Sequence, residues 1–214
     1  FFANRRAWLA ANGAAAPCPA EFAVGLGEDA PARFEAAFAE ASAAADFVLI
    51  DTPGSDTAVS RAAHARADLI VTPMNDSFVD FDLLARIDPR TFEIKMPSLY
   101  SDFVWECRKK RLMARQPALD WVVMRNRISA TEARNKRRIA KALDSLAQRI
   151  GFRVAPGFGE RVIFRELFPM GLTMLDLPQP GLGTGLSMSH VAARQEVREL
   201  IRTLKLPGVS EVGV

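Results

Sequence analysis

The sequence predicts an α/β protein with a doubly wound, mainly parallel sheet and helices on both faces. Three short segments dominated by apolar residues, 47–51, 69–73 and 121–124, are each followed by a longer stretch of helical character. Strands buried on both faces have such continuous apolar runs, whereas strands with one wet face alternate apolar and polar residues. An alternation of strands and helices is typical of parallel sheets.

The remaining elements follow from the stretches between these strands. Pro31 suits the first turn of a helix, because its missing N–H has no helical partner there. The predicted helices are 1–9, 31–45, 56–66, 77–86, 99–115, 131–150 and 187–204, with a short strand or turn leading into a helix at 161–168. The connections rich in Ala, Gly or Pro are 12–30 and 178–185. One domain is expected over 1–206, followed by a frayed tail at 207–214.

Composition narrows the class of protein. The 214 residues are 49% hydrophobic and 25% charged, with a net charge of +3, as expected for a globular domain. Cys18 and Cys107 lie far apart without Cys-x-x-Cys spacing, which fits a reducing compartment and argues against a disulfide framework. No apolar run approaches the roughly 18 residues that span a bilayer. These features favour a cytoplasmic protein that does not contact a membrane.

The segment Asp51-Thr52-Pro53-Gly54 carries the first sign of a function. In an open parallel sheet, ligands bind beyond the carboxyl ends of the strands, where Asp51 is expected to stand. A carboxylate there can hold Mg²⁺ through water, and Gly54 can bring its backbone N–H close to a phosphate because it has no Cβ. The segment favours a Mg²⁺–nucleotide site of the P-loop NTPase type. The alternative is a strand that ends in the N-cap aspartate of a helix.

Polar residues also follow the other two predicted strands. Asn75 comes after the second strand, and Asn126 comes after the third, where its side-chain amide can pair with the edge of adenine. Each is an ordinary turn residue when taken alone, but together with Asp51 they form one constellation. No G-x-x-x-x-G-K-[ST] motif, which cradles phosphates in P-loop proteins, occurs in the 214 residues.

The predicted helix at 131–150 combines a cationic face with an apolar one. Arg134, Arg138 and Lys141 lie on one side at helical spacing. The residues of the opposite face are Ile139, Leu143, Leu146 and Ile150. Arginine donates bidentate hydrogen bonds to phosphate, so this face predicts salt-dependent, non-sequence-specific contact with a nucleic-acid backbone. The alternative is a solvated charged face.

Other polar residues carry weaker signals. His64 and His190 have no Cys, Asp or His at ligand spacing, which argues against a metal site built on them. A second basic cluster, at 108–111, is expected to be a solvated face or a partner surface.

Beyond these local signals, the chain resembles the MipZ family of division-plane-positioning ATPases, within the ParA/MinD group of deviant-Walker P-loop ATPases. The likeness covers most of the chain, up to about residue 206. The motif Asp51-Thr52-Pro53-Gly54 alone indicates only the wider group. The segments that match are 47–54, 64–82, 97–101, 120–127, 131–135 and 161–169, of which 73–82 and 131–135 are the most specific.

The resemblance implies an activity and a set of partners. Members of the family bind ATP and Mg²⁺, dimerise face to face around two nucleotides, and hydrolyse ATP slowly. The dimer binds DNA non-specifically and inhibits FtsZ polymerisation, and ParB recruits the monomer. The implied location is the cytoplasm, in association with the nucleoid.

The resemblance also assigns roles to individual residues. Asp51 would be the Walker B carboxylate, and Gly54 the switch II glycine, with Thr52 and Pro53 between them at the nucleotide. Asn126 would contact adenine. Arg134 and Arg138 match positions of the family's DNA-binding surface, and Lys141, on the same face of the predicted helix, is expected to contact DNA with them.

The chain departs from the family at its beginning. Members open with the motif K-G-G-x-G-K-[ST] and then a D-x-D strand that carries the catalytic aspartate, and Phe1 matches a point after both. The expectation is an incomplete ATPase domain over 1–206 that holds no catalytic residue and does not hydrolyse ATP alone. The family's basic surface also includes a residue near Gly159, where this chain has no side chain. The alternative is a non-catalytic module, derived from a ParA-like ATPase, that binds DNA or a partner.

Overall fold

The computed structural model describes residues 1–13, 16–25, 27–75, 78–88, 94–128, 133–177 and 188–209, but not the side chains of 78–79 and 133–136. The helices are α1 (Phe2–Asn12), α2 (Ala30–Ala44), α3 (Ala58–Arg66), α4 (Phe78–Phe81), α5 (Leu99–Met113), α6 (Ala133–Ile150), α7 (Val162–Leu167) and α8 (Met188–Leu204), with a 3₁₀ turn at Phe168–Met170. The strands are β1 (Leu69–Asn75), β2 (Ala85–Ile87), β3 (Ile94–Pro97), β4 (Asp120–Asn126) and β5 (Arg153–Ala155). None of the helices in the described ranges is both long and apolar enough to cross a bilayer.

Three parallel strands form the main sheet, in the order β1-β4-β5. β1 and β4 pair along their whole lengths, from Leu69 beside Asp120 to Asn75 beside Asn126. β5 pairs in parallel with the other edge of β4. The short strands β2 and β3 form a separate antiparallel pair. The predicted α/β fold with a parallel sheet is confirmed.

The central strand β4 is buried on both faces, which explains its continuous apolar run. Trp121 and Val123 pack into a core that α5 and α6 cover. Val122 and Met124 point to the other side, where Leu200 of α8 packs against them. Successive side chains alternate between the two faces of a strand, so one apolar run supplies two cores. Helices cover both faces of the sheet, as predicted.

A buried ion pair fastens α1 to a segment near the other end of the chain. Two guanidinium nitrogens of Arg5 each donate to a carboxylate oxygen of Asp176 at 3.0 Å, and the side chains are only 7% and 6% exposed. Arg5 also donates to the backbone carbonyls of Pro17 and Gly171. Gly171 has φ +72°, and a Cβ there would lie 2.2 Å from the backbone nitrogen of Arg5. This close approach of the two backbones requires glycine.

The predicted strand at 47–51 is wrong. Among the described residues the segment pairs with no strand, and Phe47 and Leu49 are 50% and 98% exposed. An apolar run shows that a segment can be buried, but a strand also needs a neighbour to take its backbone hydrogen bonds. The strand nearest in sequence, β1, pairs only with β4 within the described ranges.

The predicted helix at 77–86 is mostly replaced by a hairpin. Only the four residues of α4 are helical, and Ala85–Ile87 is strand β2, paired with the unpredicted β3. Ser98 and Ser101, at the start of α5, donate from their hydroxyls to the carbonyls of Leu83 and Leu84. These tertiary hydrogen bonds outweigh the local preference for helix. The predicted start of α6 at Thr131, the loop at 178–185 and the last five residues lie outside the described ranges.

An ion pair at the start of β4 predicts how stability depends on pH. Arg153 donates to both carboxylate oxygens of Asp120 and to the carbonyl of Thr203. These hydrogen bonds from Arg153 hold the pKa of the Asp120 carboxyl below its usual range. Because the folded pKa is the lower one, the stabilisation is complete above the ordinary aspartate pKa of about 3.9 and is lost as the pH falls through the lowered value.

We therefore expect Asp120→Asn to lower the free energy of unfolding at pH 7 by up to about 1 kcal/mol, because the pair is partly exposed. The difference between wild type and variant should shrink below about pH 4. Urea denaturation followed by circular dichroism at several pH values measures both quantities. A difference that stays constant down to pH 2 would contradict the assignment.

Candidate functional site

Polar residues meet at the carboxyl edge of the sheet, where β1 and β4 end in register. Asn75 and Asn126 are paired positions on these neighbouring strands, and Met74 pairs with Arg125 one residue earlier. Ligands of open parallel sheets bind at this edge. The structure thus brings together two of the three strand ends that the sequence predicts to meet.

The last residue of β1 donates a hydrogen bond to a carboxylate. The backbone N–H of Asn75 donates to Oδ2 of Asp80, in α4, over 2.6 Å. A charged acceptor makes this hydrogen bond stronger than one between neutral groups. Sequence reasoning missed Asp80, because its contact joins the end of β1 to α4 and belongs to no motif.

Asn126 is the last residue of β4, and hydrogen bonds hold the two residues that follow it. Its Oδ1 accepts from the backbone N–H of Arg127 at 3.0 Å, and Arg127 has φ +51°. The N–H of Phe158 donates to the carbonyl of Arg125, and the N–H of Ile128 donates to the carbonyl of Phe158. A Cβ on Gly157 would lie 2.3 Å from the carbonyl oxygen of Arg125, so the two chain segments touch here. The hydrogen bond from the Arg127 N–H therefore orients the Asn126 carboxamide at the end of β4.

The segment Asp51-Thr52-Pro53-Gly54 lies outside the sheet. Asp51 is exposed, and no side-chain hydrogen bond joins this segment to any other described residue. The space around Gly54 is open, because no atom lies within 4 Å of the position that a Cβ would occupy. The segment leads into α3, whose first turn is capped by the hydroxyl of Thr57. The structure does not unite Asp51 with Asn126 in one sheet, so their joint role stays a prediction.

The part of α6 whose side chains are described, 137–150, has one cationic face and one buried face. Arg137, Arg138 and Lys141 are exposed. The side chains that anchor the helix in the core are Ile139, Leu143 and Leu146. The backbone of Arg134 belongs to α6, but its side chain lies outside the description. The helical spacing of 134, 138 and 141 is therefore confirmed, and their contact with nucleic acid stays a prediction.

Comparison with protein families adds to this geometry. The family model described as ATPase MipZ matches residues 1–208. The chain belongs to the MipZ ATPase family. Comparison with curated proteins gave no match. Membership confirms the resemblance and identifies, at the level of the family, an ATPase of the ParA-like kind.

Two of the described residues suit contact with the ligands that MipZ ATPases use, Asp51 with Mg²⁺ and Asn126 with the base of ATP. An exposed carboxylate such as Asp51 suits contact with Mg²⁺ through water, because Mg²⁺ keeps much of its hydration. Among the described residues, the Asn126 carboxamide uses only its oxygen in the turn, so the NH₂ group can donate to a base. No group of three His, Cys, Asp or Glu in the described ranges could hold a metal ion.

Arg161, which precedes α7, is paired with a carboxylate of α8. Arg161 donates from Nη2 to Oε1 of Glu196 over 2.7 Å and from Nε to the same carboxylate. The hydrogen bond with Glu196 raises the pKa of Arg161. Glu196 also accepts from the backbone N–H of Gly159. The carboxylate of Glu196 therefore balances the charge of Arg161.

Both ring nitrogens of His64 have hydrogen-bond partners within the fold. Its Nδ1 lies 2.7 Å from the Ser60 carbonyl, so this nitrogen must carry the proton, and Nε2 faces the Tyr100 hydroxyl at 3.3 Å. The Tyr100 hydroxyl lies 3.0 Å from the hydroxyl of Thr72, and Trp121 Nε1 donates to the same Thr72 oxygen. Burial raises the pKa of Tyr100. In the MipZ fold this chain of hydrogen bonds joins α3 to β1 and β4.

Proposed function

We propose that this chain is the switch and DNA-binding part of an ATPase that positions the division site. The proposed activity comprises ATP-dependent homodimerisation, sequence-independent DNA binding, inhibition of FtsZ polymerisation and recruitment by ParB. The proposed location is the cytoplasm, on the nucleoid. The observation that carries the DNA-binding part is the exposed set Arg137, Arg138 and Lys141 on a helix that Ile139 and Leu143 anchor in the core.

The proposed switch runs from the nucleotide segment to the sheet. Asp51 would position Mg²⁺ through water, and the open surroundings of Gly54 leave its backbone N–H accessible to a phosphate. The same segment leads directly into α3, and His64 on α3 contacts Tyr100, which contacts Thr72 on β1. A shift of the 51–54 segment would therefore reach β1, next to the strand that carries Asn126.

A second candidate is a non-catalytic module that binds DNA or a partner without ATP. It is favoured by the position of Asp51, which lies exposed and outside the sheet. We expect the 214-residue chain alone not to hydrolyse ATP. The two candidates differ in one measurement, the DNA affinity with and without Mg²⁺-ATP. Affinity that is unchanged by nucleotide supports the module, and affinity that rises with nucleotide supports the switch.

A substitution at Asp51 tests the proposed function directly. In the gene product that carries this sequence, Asp51→Ala is expected to reduce Mg²⁺-dependent ATP turnover at least about 100-fold, because the ion loses its positioning carboxylate. Phosphate release and fluorescent-ATP binding, each with Mg²⁺ and with EDTA, measure the effect. Asp56→Ala is the matched control, because Asp56 is exposed and pairs only with Arg61 in the described structure. Wild-type turnover in Asp51→Ala would remove this residue from the site.

A further inference from the structure

Helix α5 has two apolar faces, of which the fold uses only one. Val104 and Cys107 point into the core. Trp105, Leu112 and Met113 point away from it and are 54%, 77% and 82% exposed. A helix on the surface of a domain ordinarily turns a polar face to water. The second apolar face of α5 therefore needs another explanation than the packing of this chain.

The exposed apolar residues form one continuous stripe. Leu112 and Met113 follow Trp105 by seven and eight positions, which places all three on the same side of the helix. Lys109 lies between them, and its ammonium group is held by Glu106 at 2.5 Å, so its aliphatic stem covers the middle of the stripe. Contiguous exposed apolar surface of this kind marks interaction sites.

Charges are distributed unevenly along the same helix. Asp102 is exposed in the first turn of α5, and Arg115 is exposed just beyond the last turn. Neither side chain makes a hydrogen bond or ion pair with any residue that the structure describes. Opposite charges at the two ends of an apolar stripe make the surface complementary to an antiparallel copy of itself.

We propose that α5 is a self-association surface, on which the α5 helices of two copies pair antiparallel about a two-fold axis. The pair Trp105 and Leu112 and the pair Asp102 and Arg115 share one midpoint in sequence, between Arg108 and Lys109. A two-fold axis at that midpoint sets Trp105 against Leu112 of the second copy and Asp102 against Arg115 of the second copy. Both contacts then occur twice, as an isologous interface requires.

The size of the surface sets the strength of the association. α5 has 15 residues and is about 22 Å long, so two such helices bury less than the roughly 1,200 Å² of a stable interface. The pairing is therefore weak and depends on concentration. The end of α5 with Leu112 and Arg115 leads into the start of β4, at the opposite end of the sheet from Asn126. Pairing through α5 thus leaves the proposed nucleotide edge open.

Charge reversal distinguishes this interface from other modes of association, because only this pairing predicts loss in each variant and recovery in their mixture. Asp102→Arg and Arg115→Asp should each weaken self-association at least tenfold, because each variant places two like-charge contacts across the axis. An equimolar mixture of the two variants should associate within about threefold of wild type, since both ion pairs reform in the mixed dimer. Arg115 has φ +53°, a conformation that aspartate tolerates. Sedimentation velocity up to about 0.5 mM protein, with circular dichroism to confirm folding, measures these outcomes.

Two further variants separate this surface from other apolar ones. Trp105→Ala and Leu112→Ala should each reduce association at least tenfold. Leu49→Ala, which removes a fully exposed leucine far from α5 in the sequence, should leave association unchanged. The proposal is overturned if wild type stays monomeric at all concentrations, if the mixture associates no better than each variant, or if Leu49→Ala abolishes association.

Discussion

Replacing Arg5 by alanine is expected to lower the free energy of unfolding by about 3–5 kcal/mol, the usual cost of removing one partner from a buried ion pair. Arg5 and Asp176 are both buried, and the substitution leaves the Asp176 carboxylate with only the N–H and hydroxyl of Thr173 as donors among the described residues. Urea denaturation followed by circular dichroism measures the loss. A variant as stable as wild type would show that the pair does not hold α1 in place.

Two control variants separate the effect of leaving the Asp176 carboxylate buried without Arg5 from the effect of losing contacts in general. Arg61→Ala breaks an exposed pair with Asp56 of similar geometry and a contact of Arg61 with the Phe103 ring, and should lower the free energy of unfolding far less than Arg5→Ala does. Adding Asp176→Leu to Arg5→Ala should recover a large part of the loss, because it removes the unpaired carboxylate.

The pKa of Asp176 predicts the behaviour in acid. Burial raises it, but the hydrogen bonds from Arg5 and Thr173 outweigh burial and hold it below the usual range. The wild-type advantage over Arg5→Ala should therefore be complete at neutral pH and shrink as the pH falls below about 4.

Replacing both Arg138 and Lys141 by alanine is expected to weaken DNA binding at least about tenfold at physiological salt, for every DNA sequence. Each lost phosphate contact should also reduce the slope of log K against log salt by about 0.9, so the double variant should lose nearly 2. Fluorescence anisotropy with two unrelated duplexes, over a range of salt concentrations, gives both quantities. Both side chains are exposed, and circular dichroism checks that the fold of the double variant is unchanged.

The matched control lies on the other side of the sheet. Arg202 is an exposed arginine on α8, which packs against the face of β4 opposite to that covered by α6. Arg202→Ala changes the net charge by one unit and should leave the salt slope unchanged. An equal loss of affinity in Arg202→Ala and in either single α6 variant would mean that net charge, and not the α6 face, governs DNA binding.

The charge runs show where sequence reasoning reaches its limit. The cluster at 108–111 was expected to be a solvated face or partner surface, yet Arg111 is buried and donates to Asp68 and to the carbonyls of Ala67 and Pro117. Arg108 donates to the carbonyl of Leu119, and burial lowers its pKa. The cationic side of α6, in contrast, is exposed as predicted at Arg138 and Lys141. Its helical spacing is a local property, whereas the partners of Arg108 and Arg111 come from other segments.

The sequence by itself determined the α/β class, the strands β1 and β4, the anchored cationic helix and the family. The family follows from the resemblance of particular segments, above all 73–82 and 131–135. The other properties follow from local patterns, which are continuous apolar runs for the buried strands and a spacing of 3.6 residues for the helix. Only the tertiary structure decided that Asn75 lies beside Asn126, that Arg5 is paired and buried, and that 47–51 is not a strand. Each of these depends on groups that are far apart in sequence, 171 positions in the case of Arg5 and Asp176. A hydrogen bond or ion pair needs both partners in place, and only the folded chain brings them together.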